Sequence, residues 1–162
     1  MLQQESTPES QSSPFSLSYG IRVYYSIYTG MAVTLVPKWG GSWQFVDSFI
    51  KDAVKNTQKV EGYSMYARLY WSVSHREDLR FNLFRDSLAS WPDMKRGFED
   101  IIRNYPHSAW DINNFAAFAC IAGDKETFQS LRFRIGKTIT PEAWPANYSL
   151  DVCEHKFEAK AL

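Results

Sequence analysis

The sequence predicts an all-α fold of antiparallel helix pairs stacked as a short helical repeat. Three observations carry that expectation. Residues 106–136, PHSAWDINNFAAFACIAGDKETFQSLRFRIG, read as two helices joined at Gly123-Asp124. Residues 42–56 place Val46, Phe49, Ile50 and Ala53 at i, i+3, i+4 and i+7, the period of a helix with one buried face. No stretch of the chain makes a convincing strand. The organisation expected is a disordered tail over residues 1–15 and a single helical domain over 16–162.

Each element follows from local signals. Residues 1–14, MLQQESTPESQSSP, are rich in Ser, Gln, Glu and Pro and have almost nothing to bury. Residues 16–36 are apolar and β-branched. Their length favours a helix, with Tyr24, Ile27, Tyr28 and Met31 on one face. Pro37-Lys38-Trp39-Gly40-Gly41-Ser42 then supplies a stop, a turn and a helix cap in succession. In the helix that follows, Asp47 and Lys51 form an acid-before-base i,i+4 pair. A third helix is expected over 62–75, with Met65, Leu69 and Val73 inward. Arg76–Asp86 reads as a charged loop with a short helical turn. Trp91–Asn104 is helical, with Met94, Phe98, Ile101 and Ile102 apolar.

The hairpin is the best-marked unit. Ser108 can cap its first helix, and Asp111 suits the positive end of the helix dipole. Phe115, Phe118, Ala119 and Ala122 form its apolar stripe, extended by Trp110 and Ile112. Gly123 suits a left-handed C-terminal position, and Asp124 caps the second helix. That helix carries Phe128, Leu131 and Ile135 and stops at Gly136. Neither helix can bury its stripe alone, so other elements must cover both. A last helix is expected from about Pro145 to Ala159, with Leu150, Cys153 and Phe157 inward.

The hairpin resembles a tetratricopeptide-type unit: Gly123-Asp124 matches the turn, while Phe128 stands where that family usually has Ala. A second resemblance covers residues 20 to 155. Pro37-Lys38-Trp39-Gly40-Gly41-Ser42, Ala116–Asp124 and the later Cys153 look like a family of bacterial tetratricopeptide-like proteins of uncharacterised function. The resemblance implies a helical-repeat fold and a bacterial source, and no activity. Within the first motif the glycines are expected to make the turn, Ser42 to cap, and Trp39 to plug the gap between helices.

Composition narrows the function classes. Lys plus Arg and Asp plus Glu are both 18, giving zero formal net charge. A nucleic-acid or acidic-membrane partner therefore has no electrostatic support. No long apolar run predicts a membrane span, and no basic residue precedes Arg22, so no secretory signal is expected. Aromatic residues make up 16% of the chain, which reads as an aromatic-rich core before it reads as a binding groove. Cys120, mid-helix among apolar residues, reads as an inert buried thiol. Whether it can reach Cys153 depends on a distance the sequence does not give. Two thiols without a signal peptide favour a reducing, cytoplasmic setting.

No reaction chemistry emerges. His75, His107 and His155 are far apart and lack partners at metal-ligand spacing, so no metal is expected. Gly40-Gly41 precedes a helix but no Walker-type Lys-Ser/Thr follows, so no cofactor is expected. Glu77-Asp78 and Glu99-Asp100 read as solvated charge, and Arg132, Arg134 and Lys137 as complements to a helix C-terminus. The function expected is a non-enzymatic protein-interaction module, by analogy an immunity protein or inhibitor that binds a toxin. The competing class is a hydrolase with a site assembled from dispersed residues. Partner-facing candidates are Asp111, Asn113 and Asn114 on the polar side of the hairpin's first helix, with Tyr63, Tyr66 and Arg68 on the third helix. The competing view of Asn113 and Asn114 is that they bond neighbouring helices or water.

Overall fold

The computed structural model describes residues 14–78 and 80–158, with side chains from residue 24 onward. Eight α-helices follow one another: α1 Pro14–Thr34, α2 Trp43–Glu61, α3 Ser64–Ser74, α4 Leu83–Asp86, α5 Trp91–Asn104, α6 Ala109–Ala122, α7 Lys125–Ile135 and α8 Leu150–Glu158. Short 3-10 turns at Pro37–Trp39, Pro141–Ala143 and Ala146–Tyr148 lie in the connections. There is no strand among the described residues. The expected tail lies outside them, apart from Pro14 and Phe15, which begin α1.

The helix starts are set by local chemistry. The side chains of Ser42, Ser90, Ser108 and Asp124 each accept a bond from a backbone N–H three residues on, in α2, α5, α6 and α7 respectively. These bonds satisfy amides that have no partner inside the helix. Gly123 ends α6 in the left-handed conformation, at φ 79°. The last helix begins later than expected. Pro145 is extended and Ala146–Tyr148 forms a 3-10 turn, so α8 starts only at Leu150.

Two helices are enclosed rather than one-sided. Helix α3 packs against α1, α2 and α5, and it buries residues from Ser64 through Val73 with few gaps. Its approach to α5 is close because position 97 is Gly: a Cβ there would meet the Tyr63 carbonyl at 2.6 Å and the Ala67 Cβ at 2.7 Å. Helix α6 packs on α5 and α7 and also touches α4, α8 and both late 3-10 turns. Every residue from Asp111 to Cys120 is buried. Aromatic rings fill the space between α3, α5 and α6, with Phe98 stacked on Phe115 at 5.0 Å and Trp71 beside Phe98 at 5.8 Å. The expected aromatic core is found there.

The structure corrects two expectations. Cys120 is no free thiol: it is disulfide-bonded to Cys153, with Cα atoms 5.8 Å apart, so α6 is tied to α8 across 33 residues of sequence. The inference of a reducing compartment rested on two free thiols and loses that premise. Trp39 is no plug, since it is 65% exposed. Val36, three residues earlier, is fully buried instead. The glycines do shape the corner: a Cβ at Gly41 would sit 1.9 Å from the Leu35 carbonyl oxygen.

Candidate functional site

A groove of about 790 Å³ opens between α1 and α3. Tyr25, Thr29 and Val33 line it from α1, Arg68 and Trp71 from α3, and Trp110 from the first turn of α6. Helix α3 builds its share by period. Met65, Leu69 and Val73 are buried, the first two also touching the groove, while Arg68, Ser72, His75 and Arg76 recur at i, i+4, i+7 and i+8 along it.

Arg68 is the chemical centre of this groove. Its guanidinium carbon lies 4.9 Å from the Tyr25 ring centroid and 5.8 Å from that of Tyr105. Both distances suit cation–π attraction. Its Nε is shielded from solvent and makes no hydrogen bond. Among the described residues Arg68 forms no ion pair within 4 Å. Tyr25 is fixed from behind, donating its hydroxyl to Glu61 Oε2 at 2.6 Å. Burial first, and that bond second, raise the Tyr25 pKa well above the usual phenol value. Trp110 is 42% exposed and stacks on Trp71 at 5.8 Å. His75 holds one ring nitrogen, Nδ1, against the Trp71 carbonyl at 2.9 Å. Among the described residues no Asp or Glu lines the groove, whereas Arg68, Arg76 and His75 all do. The site can therefore place a cation and flat aromatic surface against a ligand that brings a carboxylate or other anion.

The sequence-derived candidates divide. Arg68 lines the groove. Tyr63 is half-buried beneath Arg96, whose guanidinium carbon is 3.9 Å from its ring centroid. Tyr66 is 2% exposed, its hydroxyl accepts from the Ser90 N–H at 3.0 Å, and burial pushes its pKa up to about 12. Asp111 is 8% exposed, within the first turn of α6. Asn113 and Asn114 are each 1% exposed. Asn113 spends its whole side chain internally. Its Nδ2 donates to the Ala109 and Thr138 carbonyls at 2.9 and 3.0 Å. Its Oδ1 accepts from Thr140 N and Trp144 Nε1 at 3.2 and 3.1 Å. Asn114 Nδ2 donates to the Trp110 carbonyl at 2.8 Å.

The outward-facing reading of Tyr66, Asp111, Asn113 and Asn114 is thus corrected. Residues 138–144 cover α6 at Asn113, which fastens them to the helix, while Asn114 bonds within α6 and Asp111 is buried in its first turn. Sequence reasoning missed Tyr25, His75, Arg76 and Trp110 as groove residues. The polar stripe continuing past the end of α3 was the available signal for two of them. Tyr25 and Trp110 needed the packing of three helices. No protein-family model matches the chain, and neither does any curated protein or solved structure at the similarity required to carry an inference.

Proposed function

We propose that the protein is a non-enzymatic interaction module whose groove between α1 and α3 receives a segment of a partner protein. In its finer form the proposal has antiparallel helix pairs in a short tetratricopeptide-like stack. The partner is then a toxin, and this bacterial protein its inhibitor. The observation that supports a binding role is Arg68: a guanidinium flanked by two tyrosine rings, on an open groove, with no hydrogen bond or ion pair among the described residues. Its Nε–H is withheld from water with no acceptor, which is costly unless a ligand supplies one. Arg, Tyr and Trp are also the side chains that most often anchor protein interfaces. The positive lining selects a segment that carries a carboxylate.

The test is selection of random peptides displayed on phage against the immobilised, oxidised protein. Enriched peptides should contain Asp or Glu beside an apolar residue. They should bind Arg68→Ala and Trp110→Ala more weakly, with melting temperatures near that of the wild type. Enriched peptides that ignore both substitutions would place the interface elsewhere, and no enrichment at all would count against the module itself.

A further inference from the structure

The cationic groups of the groove between α1 and α3 fall at two separate places along it. Arg68 marks the first, beside the Tyr25 and Tyr105 rings, with its Nε shielded from solvent and unbonded. The acid nearby, Glu61, is held instead by the Tyr25 hydroxyl at 2.6 Å. His75 and Arg76, both exposed, mark the second. Lys38 Nζ donates to the Arg76 carbonyl at 3.3 Å and brings a further cation there. Glu77 and Asp78, which follow, do not line the groove. Along α3 between the two places comes Trp71, stacked on the part-exposed Trp110 at 5.8 Å and 29°. On the α1 wall, Ser26, Thr29 and Gly30 are small, and a Cβ added at Gly30 would meet no atom within 4 Å.

We propose that the segment this groove takes is extended, with two acidic residues four positions apart and a proline between them; this rests on the interaction-module reading above. The spacing comes from helix geometry. Seven and eight residues separate Arg68 from His75 and Arg76, which puts their backbone positions about 10–12 Å apart. Side chains on a helix lean the same way along it, so the charged groups keep roughly that separation. His75 shows the lean, with its Nδ1 against the Trp71 carbonyl. An extended chain covers about 12–13 Å in four residues, so acids at that interval meet both places at once. The residue midway then lies over the Trp71–Trp110 pair. Proline suits that position, because proline-bearing extended segments dock on aromatic-lined grooves and lose little conformational freedom in doing so. A helical ligand would need its acids two turns apart, and helices are received by grooves more apolar than this one. The small residues of α1 leave room for the backbone of an extended chain to come close.

Fluorescence-polarisation titrations of the oxidised, full-length protein test it with three labelled peptides. The first contains Asp-Ala-Pro-Ala-Asp, the second has the same residues reordered to put the acids side by side, and the third is an alanine-rich helix with acids seven apart. The first should bind about twofold to fivefold more tightly than either other, the usual worth of one exposed ion pair. Arg68→Gln should weaken it by roughly tenfold, as for a charged hydrogen bond. Changing its acids to Asn one at a time, in wild type and in Arg68→Gln, completes a double-mutant cycle. One change should lose its effect in Arg68→Gln and the other should keep it. Gly30→Leu should fill the groove and weaken the first peptide by tenfold or more. Its melting temperature should not fall, since no atom stands in the way and leucine is the better helix former. Binding indifferent to both Arg68→Gln and Gly30→Leu, or no binding of any peptide, would remove the groove reading and this inference with it. Binding that needs both residues but is equal for the three peptides, or tightest for the helical one, would overturn this inference alone.

Discussion

Breaking the Cys120–Cys153 bond is the most informative single perturbation of this fold. Both sulfur-bearing residues are fully buried, and the bond closes 33 residues that include all of α7 and the irregular 136–149 segment. That segment has little regular hydrogen bonding to hold it, so the unfolded chain gains much freedom when the loop opens. Chain-entropy arithmetic for a loop of that length gives about 4 kcal/mol. Against a typical total of about 5–15 kcal/mol, that is a large share. For a chain of this size it corresponds to a fall in melting temperature of roughly 8–16 °C. The assay is thermal unfolding followed by far-ultraviolet circular dichroism, for the oxidised protein, for protein unfolded and refolded in a thiol reductant, and for Cys120→Ala/Cys153→Ala. Intact mass before and after alkylation reports whether the bond is present. Reductant should act slowly on the folded protein, because attack requires opening of a core that excludes it. A double variant that melts within a degree or two of the oxidised wild type would refute the reasoning. So would two alkylatable cysteines in protein folded under oxidising conditions.

Three further outcomes follow from the packing. Trp39→Ala should change stability by less than about 0.5 kcal/mol in chemical denaturation, as for other exposed positions, while Gly41→Ala, which drives a Cβ into the Leu35 carbonyl, should cost several times more. Asn113→Ala should cost roughly 2–3 kcal/mol, since it strands buried partners on 138–144, and hydrogen exchange at Thr140 and Trp144 should rise with it. Burial is the largest influence on Asp124 and pushes its pKa up, but bonds from Thr127, Trp91 and Lys95 outweigh it and hold the carboxyl at about 2 against 3.8 when free. A depressed acid stabilises above its unfolded pKa, so about 2 kcal/mol should be lost as pH falls from about 4 to about 2, and urea titrations of Asp124→Asn should lack that loss.

The sequence made local features legible and non-local ones obscure. Ser42, Ser108, Gly123 and Asp124 act within four residues of themselves, so their capping roles could be assigned without knowing the packing. The helix that begins at Ser42 and the 109–135 hairpin were readable because one face of each repeats at helical period. Period counting assumes that the opposite face meets water, and α6 breaks that assumption. Residues 138–144, which carry no helical period to place them, cover that face and turn Asn113 into a fastener. The disulfide depends on a distance between α6 and α8 that no local signal encodes. Trp39 misled for the opposite reason: a large aromatic in a glycine corner resembles a plug, yet Val36 reaches the interior first.

The zero net charge of the chain illustrates the same divide. At long range equal numbers of acids and bases do cancel, which weakens any electrostatic case for a polyanionic partner. Screening makes the sum irrelevant at short range, because charges farther than about 10 Å are damped at ordinary salt. A site responds to its own lining. At the end of α3 Arg68 and Arg76 line the groove, while Glu77 and Asp78, the next residues along, line a cavity walled by α6 and residues 142–148 and also a cleft shared with Arg80 and Arg85. Helical period produces the separation. Arg76 falls eight residues after Arg68, two turns along the same face, and the chain then leaves the helix and carries Glu77 and Asp78 around the corner. Adjacent charges that would read as a solvated patch in sequence are thereby separated, with His75 lining both the groove and the cavity beside α6. Among the described residues, Arg68 and Arg76 fall on the groove and Glu77 and Asp78 do not, in a molecule with no net charge overall.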